Sequence, residues 1–134
     1  MIKTLTPLQA FRAMTYFLSD YYYDKTSSNG LGSLLNDTQI FNGNTTWNPA
    51  AWDNWINAMG GTDKSLTLLE AFTAMFNFLD TYHKKDSRHS VDVQKALDDI
   101  RQKDGISIKL GIWNNWLASI TLALHVSSTV YRKI

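Results

Sequence analysis

A chain of 134 residues with 44% apolar side chains is long enough to bury a core of its own, and its formal net charge of +1 provides no field to draw it onto nucleic acid or an anionic membrane. It has no cysteine, which removes disulfides, thiolate nucleophiles and cysteine-based zinc sites and fits a reducing, cytoplasmic setting. The start "MIKTLTPLQAF" lacks the apolar segment of a secretory signal, and the longest apolar stretch, "WLASITLALHV" at 116–126, falls short of the roughly 18–20 residues of a membrane span. One cytoplasmic domain over 1–134, with no membrane partner, is the expectation.

The first element is "LTPLQAFRAMTYFLSDY" at 5–21, and nearly the same line returns as "LTLLEAFTAMFNFLDTY" at 66–82. The offset is 61 residues, and it also relates "WDNW" at 52–55 to "WNNW" at 113–116. Identities within 5–21 fall at Leu5, Thr6, Leu8, Ala10, Phe11, Ala13, Met14, Phe17, Leu18 and Tyr21. The chain therefore reads as an internal repeat, 5–58 and 66–119, and not as an open solenoid array, which would need more copies.

Each copy opens on a helix-start signal. Thr6 with Gln9, and Thr67 with Glu70, have capping-box spacing, and Pro7 suits the first helical position because its missing N–H would have no helical partner there. Ala10, Met14, Phe17, Leu18 and Tyr21 then lie on one helical face, as do Ala71, Met75, Phe78, Leu79 and Tyr82. The middle of copy one, "SNGLGSLLNDTQIF", reads as a short helix loosened by Gly30 and Gly32; "SVDVQKALDDIRQKDG" in copy two reads as a firmer one closed by Gly105. The third element of copy one begins at Asn48 and Pro49, carries Trp52, Trp55, Ile56 and Met59 as a stripe, and ends at Gly60 and Gly61. In copy two Ile112, Trp113, Trp116, Leu117, Ile120 and Leu124 carry that stripe further. Strand signals are weak, with "ISIKLGI" at 106–112 the one stretch that alternates. The expected fold is all-α, about six helices as two related three-helix units packed into one compact domain.

The histidines, paired carboxylates and glycine-rich stretch read as structural. His83, His89 and His125 contain no pair at the i, i+4 spacing of a helical zinc site, so no metal is expected. Asp98 and Asp99 are adjacent and point to different sides of a helix, unlike carboxylates that converge on one substrate atom. "NGLGS" at 29–33 matches neither a dinucleotide fingerprint nor a P-loop, and Lys84, Lys85 and Arg88 stand where cations favour the negative end of a helix dipole. Neither catalysis nor a cofactor is expected.

The copies differ on their surfaces. Residues 1–64 have four basic side chains against five acidic, a net −1, which leaves +2 for the rest of the chain. Where copy one has "YYYDK" at 21–25, copy two has "YHKKD", so Tyr22, Tyr23 and Asp24 fall outside the shared pattern. Tyrosines beside an acidic group suit a protein-binding surface, with aromatic anchors supplying energy and charge steering encounter; the alternative is that they edge the core.

"LTPLQAFRAMTYFLSDYY", then "GLGSLLND", then "NPAAWDNW" together resemble a group of small bacterial helical proteins, the immunity proteins of contact-dependent growth inhibition and related polymorphic-toxin systems. The likeness covers 5–59 closely and 66–119 more loosely, since copy two has "VDVQKALD" in place of "GLGSLLND" and lacks the Pro-Ala-Ala-Trp start. It implies a non-enzymatic inhibitor that binds one cognate protein toxin domain stoichiometrically in the cytoplasm, with Tyr22, Tyr23, Asp24, Asp37, Trp47 and Asp53 as candidate contacts. The other reading is a helical adaptor or regulatory subunit that holds partner helices or peptides in grooves.

Overall fold

A computed structural model describes residues 4–21, 34–35, 38, 40–41, 45–46, 49–61, 64–85, 91–100 and 110–129. These residues are mostly helical. In chain order they form β1 (Thr4–Leu5), α1 (Pro7–Tyr21), β2 (Ile40–Phe41), β3 (Thr45–Thr46), α2 (Pro49–Ala58), β4 (Leu66–Thr67), α3 (Leu68–Lys85), α4 (Val91–Ile100) and α5 (Leu110–Thr129). Five helices are thus described. The sixth, expected in the middle of copy one, falls mostly outside the described residues, of which Leu34 and Leu35 are helical.

Both helix starts are built as their spacing predicts. Thr6 N–H donates to Gln9 Oε1 at 2.9 Å and Gln9 N–H to Thr6 Oγ1 at 3.1 Å; the same two bonds join Thr67 and Glu70 at 2.8 and 3.0 Å. Each box satisfies two donors that the first helical turn would otherwise leave open. The residues at and just before the boxes do something the sequence does not announce. β1 and β4 pair antiparallel with Leu5 opposite Leu66 and Thr4 opposite Thr67, so the first leucines of the two copies meet each other. A second short pair joins β2 to β3. In "ISIKLGI", Leu110–Ile112 belong to α5.

One core gathers the apolar faces of all five helices. From α1 it takes Ala10, Phe11, Ala13, Met14, Phe17 and Leu18, and from α3 the 61-residue counterparts Ala71, Phe72, Ala74, Met75, Phe78 and Leu79, all buried. α4 contributes Val93, Ala96, Leu97 and Ile100, an i, i+3, i+4, i+7 stripe. Trp55 of α2 and Trp116 of α5 are both wholly buried, and each indole must find an acceptor there. Trp55 Nε1 donates to the Pro7 carbonyl at 3.1 Å; Trp116 Nε1 donates to the Leu68 carbonyl at 3.2 Å, the same bond 61 residues on.

The aromatic contacts follow the same rule. Phe11 meets Trp55 edge-on at 5.5 Å and Phe72 meets Trp116 at 5.7 Å; Phe11 meets Trp52 at 5.4 Å and Phe72 meets Trp113 at 5.8 Å. Other pairs cross between copies: Phe17 with Trp116 at 5.9 Å and Phe78 with Trp55 at 6.0 Å, then Phe11 with Phe78 at 6.1 Å and Phe17 with Phe72 at 6.5 Å. Edge-to-face geometry places the positive rim of one ring on the negative face of the next, which favours these pairs beyond the area they bury. The helix packing crosses as well, because α1 lies along α5 and α3 lies against α2.

α2 ends abruptly. Gly61 N–H donates to the Ile56 carbonyl at 2.9 Å and Gly60 N–H to that of Asn57 at 3.0 Å, a Schellman ending with φ of +103° at Gly60 and +82° at Gly61. A side chain at Gly60 would meet no atom within 4 Å, so the constraint there is conformational and not steric crowding by neighbours. Gly60→Ala is therefore expected to cost about 1–2 kcal/mol, the penalty of a left-handed L-residue, read as a lower urea midpoint with an unchanged slope. At the same offset α5 has Thr121 and Leu122 and continues to Thr129.

Candidate functional site

Of the residues proposed from the sequence as partner contacts, Asp53 is the one within the described residues; Tyr22, Tyr23, Asp24, Asp37 and Trp47 lie outside them. Asp53 is exposed on α2, between Trp52, whose ring is partly buried against Phe11, and Asn54. The structure thus puts its carboxylate on the outer side of a helix whose inner side is held by Trp52 and Trp55.

Next to it the α2–α3 contact forms a surface that the sequence reading did not single out. At one end lies a polar groove lined by Asn54, Asn57, Asn77, Asp80, Thr81 and Lys85. At the other end the lining turns apolar, with Ala58, Met59, Leu66, Leu69 and Ala74 among Lys64, Glu70 and Thr73. Ala58 and Asn77 border both grooves, and Asn77 Nδ2 donates to the Ala58 carbonyl at 3.4 Å between them. Asn54 near Asp80 and Lys85, with Ala58 near Asn77, means that α2 runs antiparallel to α3 and points toward the start of α3 as it ends. Leu69 is 49% exposed there, one of two large apolar side chains so exposed among the described residues; the other is Leu122.

Several titratable groups lie on solvated helical faces, whereas Arg12 on α1 is buried. Lys84 pairs with Asp80 at 3.0 Å and Lys95 with Asp99 at 3.5 Å, both one turn apart. Gln94 Nε2 donates to Asp98 at 2.8 Å, so the adjacent carboxylates are each occupied by a neighbour on their own helix. Exposed pairs of this kind contribute a few tenths of a kcal/mol. His83, Lys84 and Lys85 occupy the last turn of α3, where cations suit the dipole, and His125 is exposed on α5. Among the described residues no cluster of histidine and carboxylate side chains could hold a metal ion, and no helix is long and apolar enough to cross a membrane. On α1, burial pushes the Tyr16 phenol up, against the opposing pull of the Arg12 guanidinium.

Comparison of the chain with protein-family models, with curated proteins and with solved structures found no match. What can be read of its function therefore comes from the residues and the geometry.

Proposed function

We propose that the chain is an immunity-type inhibitor built of two copies of a three-helix unit, binding one protein toxin domain stoichiometrically and occluding it. The observation that carries this reading is a division of labour along the sequence. The repeated apolar positions of the first helices, Leu5 to Leu18 and Leu66 to Leu79, are the ones the core consumes, with Leu8 and Leu69 excepted. A partner is left with the positions at which the copies differ, Tyr22, Tyr23, Asp24, Trp47 and Asp53 in copy one, which carries the acidic excess, together with Asp37, which copy two matches with Asp98. Fusing two like units supplies a stable scaffold, and unequal surfaces let one of them be specific.

Co-expression with the toxin domain encoded beside it tests this. Protection of the cells and recovery of a 1:1 complex are expected; continued killing with no complex sinks the proposal. Combining Tyr23→Ala, Asp37→Ala and Asp53→Ala should weaken that complex by about tenfold or more while leaving the melting temperature near its original value, because anchor residues dominate such interfaces. Unchanged affinity would remove the proposed surface.

The adaptor reading is favoured by a different observation, the half-apolar groove beside the exposed Leu69. Grooves of that make-up receive amphipathic helices.

A further inference from the structure

Leu8 and Leu69 are the same position of the repeated line, yet Leu8 is half-buried and Leu69 stands exposed. The contrast extends along the helix. Arg12 is buried to 6% exposure and its counterpart Thr73 is exposed; Gln9 and Tyr16 are half-buried, and their counterparts Glu70 and Asn77 are exposed. One face of α1 is covered, and the equivalent face of α3 is open.

The third helices differ in the same sense. α5 lies along α1 and runs to Thr129, burying Ser119, Ile120 and Ala123 beyond Trp116. α2 is the equivalent helix on α3, and Gly60 and Gly61 stop it at the point where Thr121 and Leu122 let α5 continue. A continuation of α2 would run toward the start of α3, over Thr73, Glu70 and Leu69. That space is the apolar groove, floored by Met59, Leu66 and Ala74.

We propose that this groove receives an amphipathic α-helix of a partner protein, laid along α3 in the direction α2 would have taken, as the end of α5 is laid along α1. The inference rests on the two-unit reading above, and not on what the chain inhibits. The covered copy also indicates the helix's chemistry: α5 has no carboxylate, lysine or arginine between Leu110 and Thr129, so the inserted face is a neutral apolar stripe of Ile, Ala and Leu size. Its outer face is polar, and its edges meet Lys64, Thr73 and Asn77.

The probe is a fluorescein-labelled peptide of the chain's own residues 116–129, "WLASITLALHVSST", with a polar solubility tail, added to the intact protein. Saturable 1:1 binding by anisotropy is expected, with amide shifts on Leu69, Thr73 and Ala74. Leu69→Lys should weaken it by at least about tenfold, and Leu122→Lys, at the other exposed leucine, should leave it unchanged. Both side chains are on the surface, so neither variant should unfold. Absence of saturable binding, insensitivity to Leu69→Lys, or shifts on α1 in place of α3 would overturn the proposal. So would concentration-dependent dimerisation abolished by Leu69→Lys, which would make a second copy the occupant. Loss of peptide binding in a Leu69→Lys chain that still protects cells would separate this groove from the toxin-binding surface.

Discussion

Trp116→Ala is expected to lower the stability of the fold by about 3–5 kcal/mol, and Trp55→Ala by a similar amount. Each indole is fully buried among phenylalanine rings from both copies, Phe17 and Phe72 around Trp116, Phe11 and Phe78 around Trp55. Truncation leaves a void that these rings can fill only by breaking their edge-on contacts elsewhere. It also removes the donor that reaches back to Leu68 or Pro7, and with it the tie between the third helix and the first. Domains of this size have about 5–15 kcal/mol in total, so either variant should melt far below the parent or fail to fold. Trp→Phe at the two sites is the finer measurement. If the copies are equivalent, the two milder losses agree to within about 1 kcal/mol in urea titrations; a large disparity would count against the two-unit reading.

Leu5→Asp is expected to cost about 4 kcal/mol or more at neutral pH, the range reached when a charge is buried without a partner. Leu5 is 1% exposed and faces Leu66, 2% exposed, across the β1–β4 pair. A carboxyl there is desolvated, which raises its folded pKa above the unfolded value. The unfolded state then releases its proton first, so the deficit is largest above the folded pKa and shrinks as pH falls through it. Urea titrations at neutral and mildly acidic pH check both the size and the sign. A deficit that does not change with pH would mean that the strand pair opens and lets water reach residue 5.

Much of the fold is legible in the sequence because its signals are local. Thr6 with Gln9 and Thr67 with Glu70 specify helix starts within one turn, and Gly60 with Gly61 specifies a helix end within another. The apolar stripes of α1, α3 and α5 are read from spacing alone, and their described residues are buried, save Tyr82, Trp113, Leu117 and Leu124, which are half-buried against the core. The β1–β4 pair is not legible, since two residues cannot display a strand period and their partner lies 61 positions away. Nor is the crossing of α1 onto α5 and α2 onto α3, which depends on how two amphipathic faces settle and not on either face by itself.

The candidate surface was legible in one respect. Unequal lengths of the third helices are visible as Gly60-Gly61 against Thr121-Leu122. That this leaves Leu69 open follows only once α2 is seen to run antiparallel to α3, a tertiary fact. Asp53, chosen where the copies differ in type, is exposed on α2. A residue identical in both copies, Leu69, marks the open groove through its differing environment.

The pairing of Leu5 with Leu66 has an evolutionary consequence under the two-unit reading. Antiparallel strands that meet at equivalent residues, with first helices packed on each other's third helices, form the self-complementary contact of a two-fold homodimer. In such an ancestor every mutation is made twice, and a helix cut short by glycines would have been cut short on both sides. Joining the subunits in one chain releases that constraint: one half can keep its long helix to hold the assembly together while the other gives up its own and is free to acquire a guest.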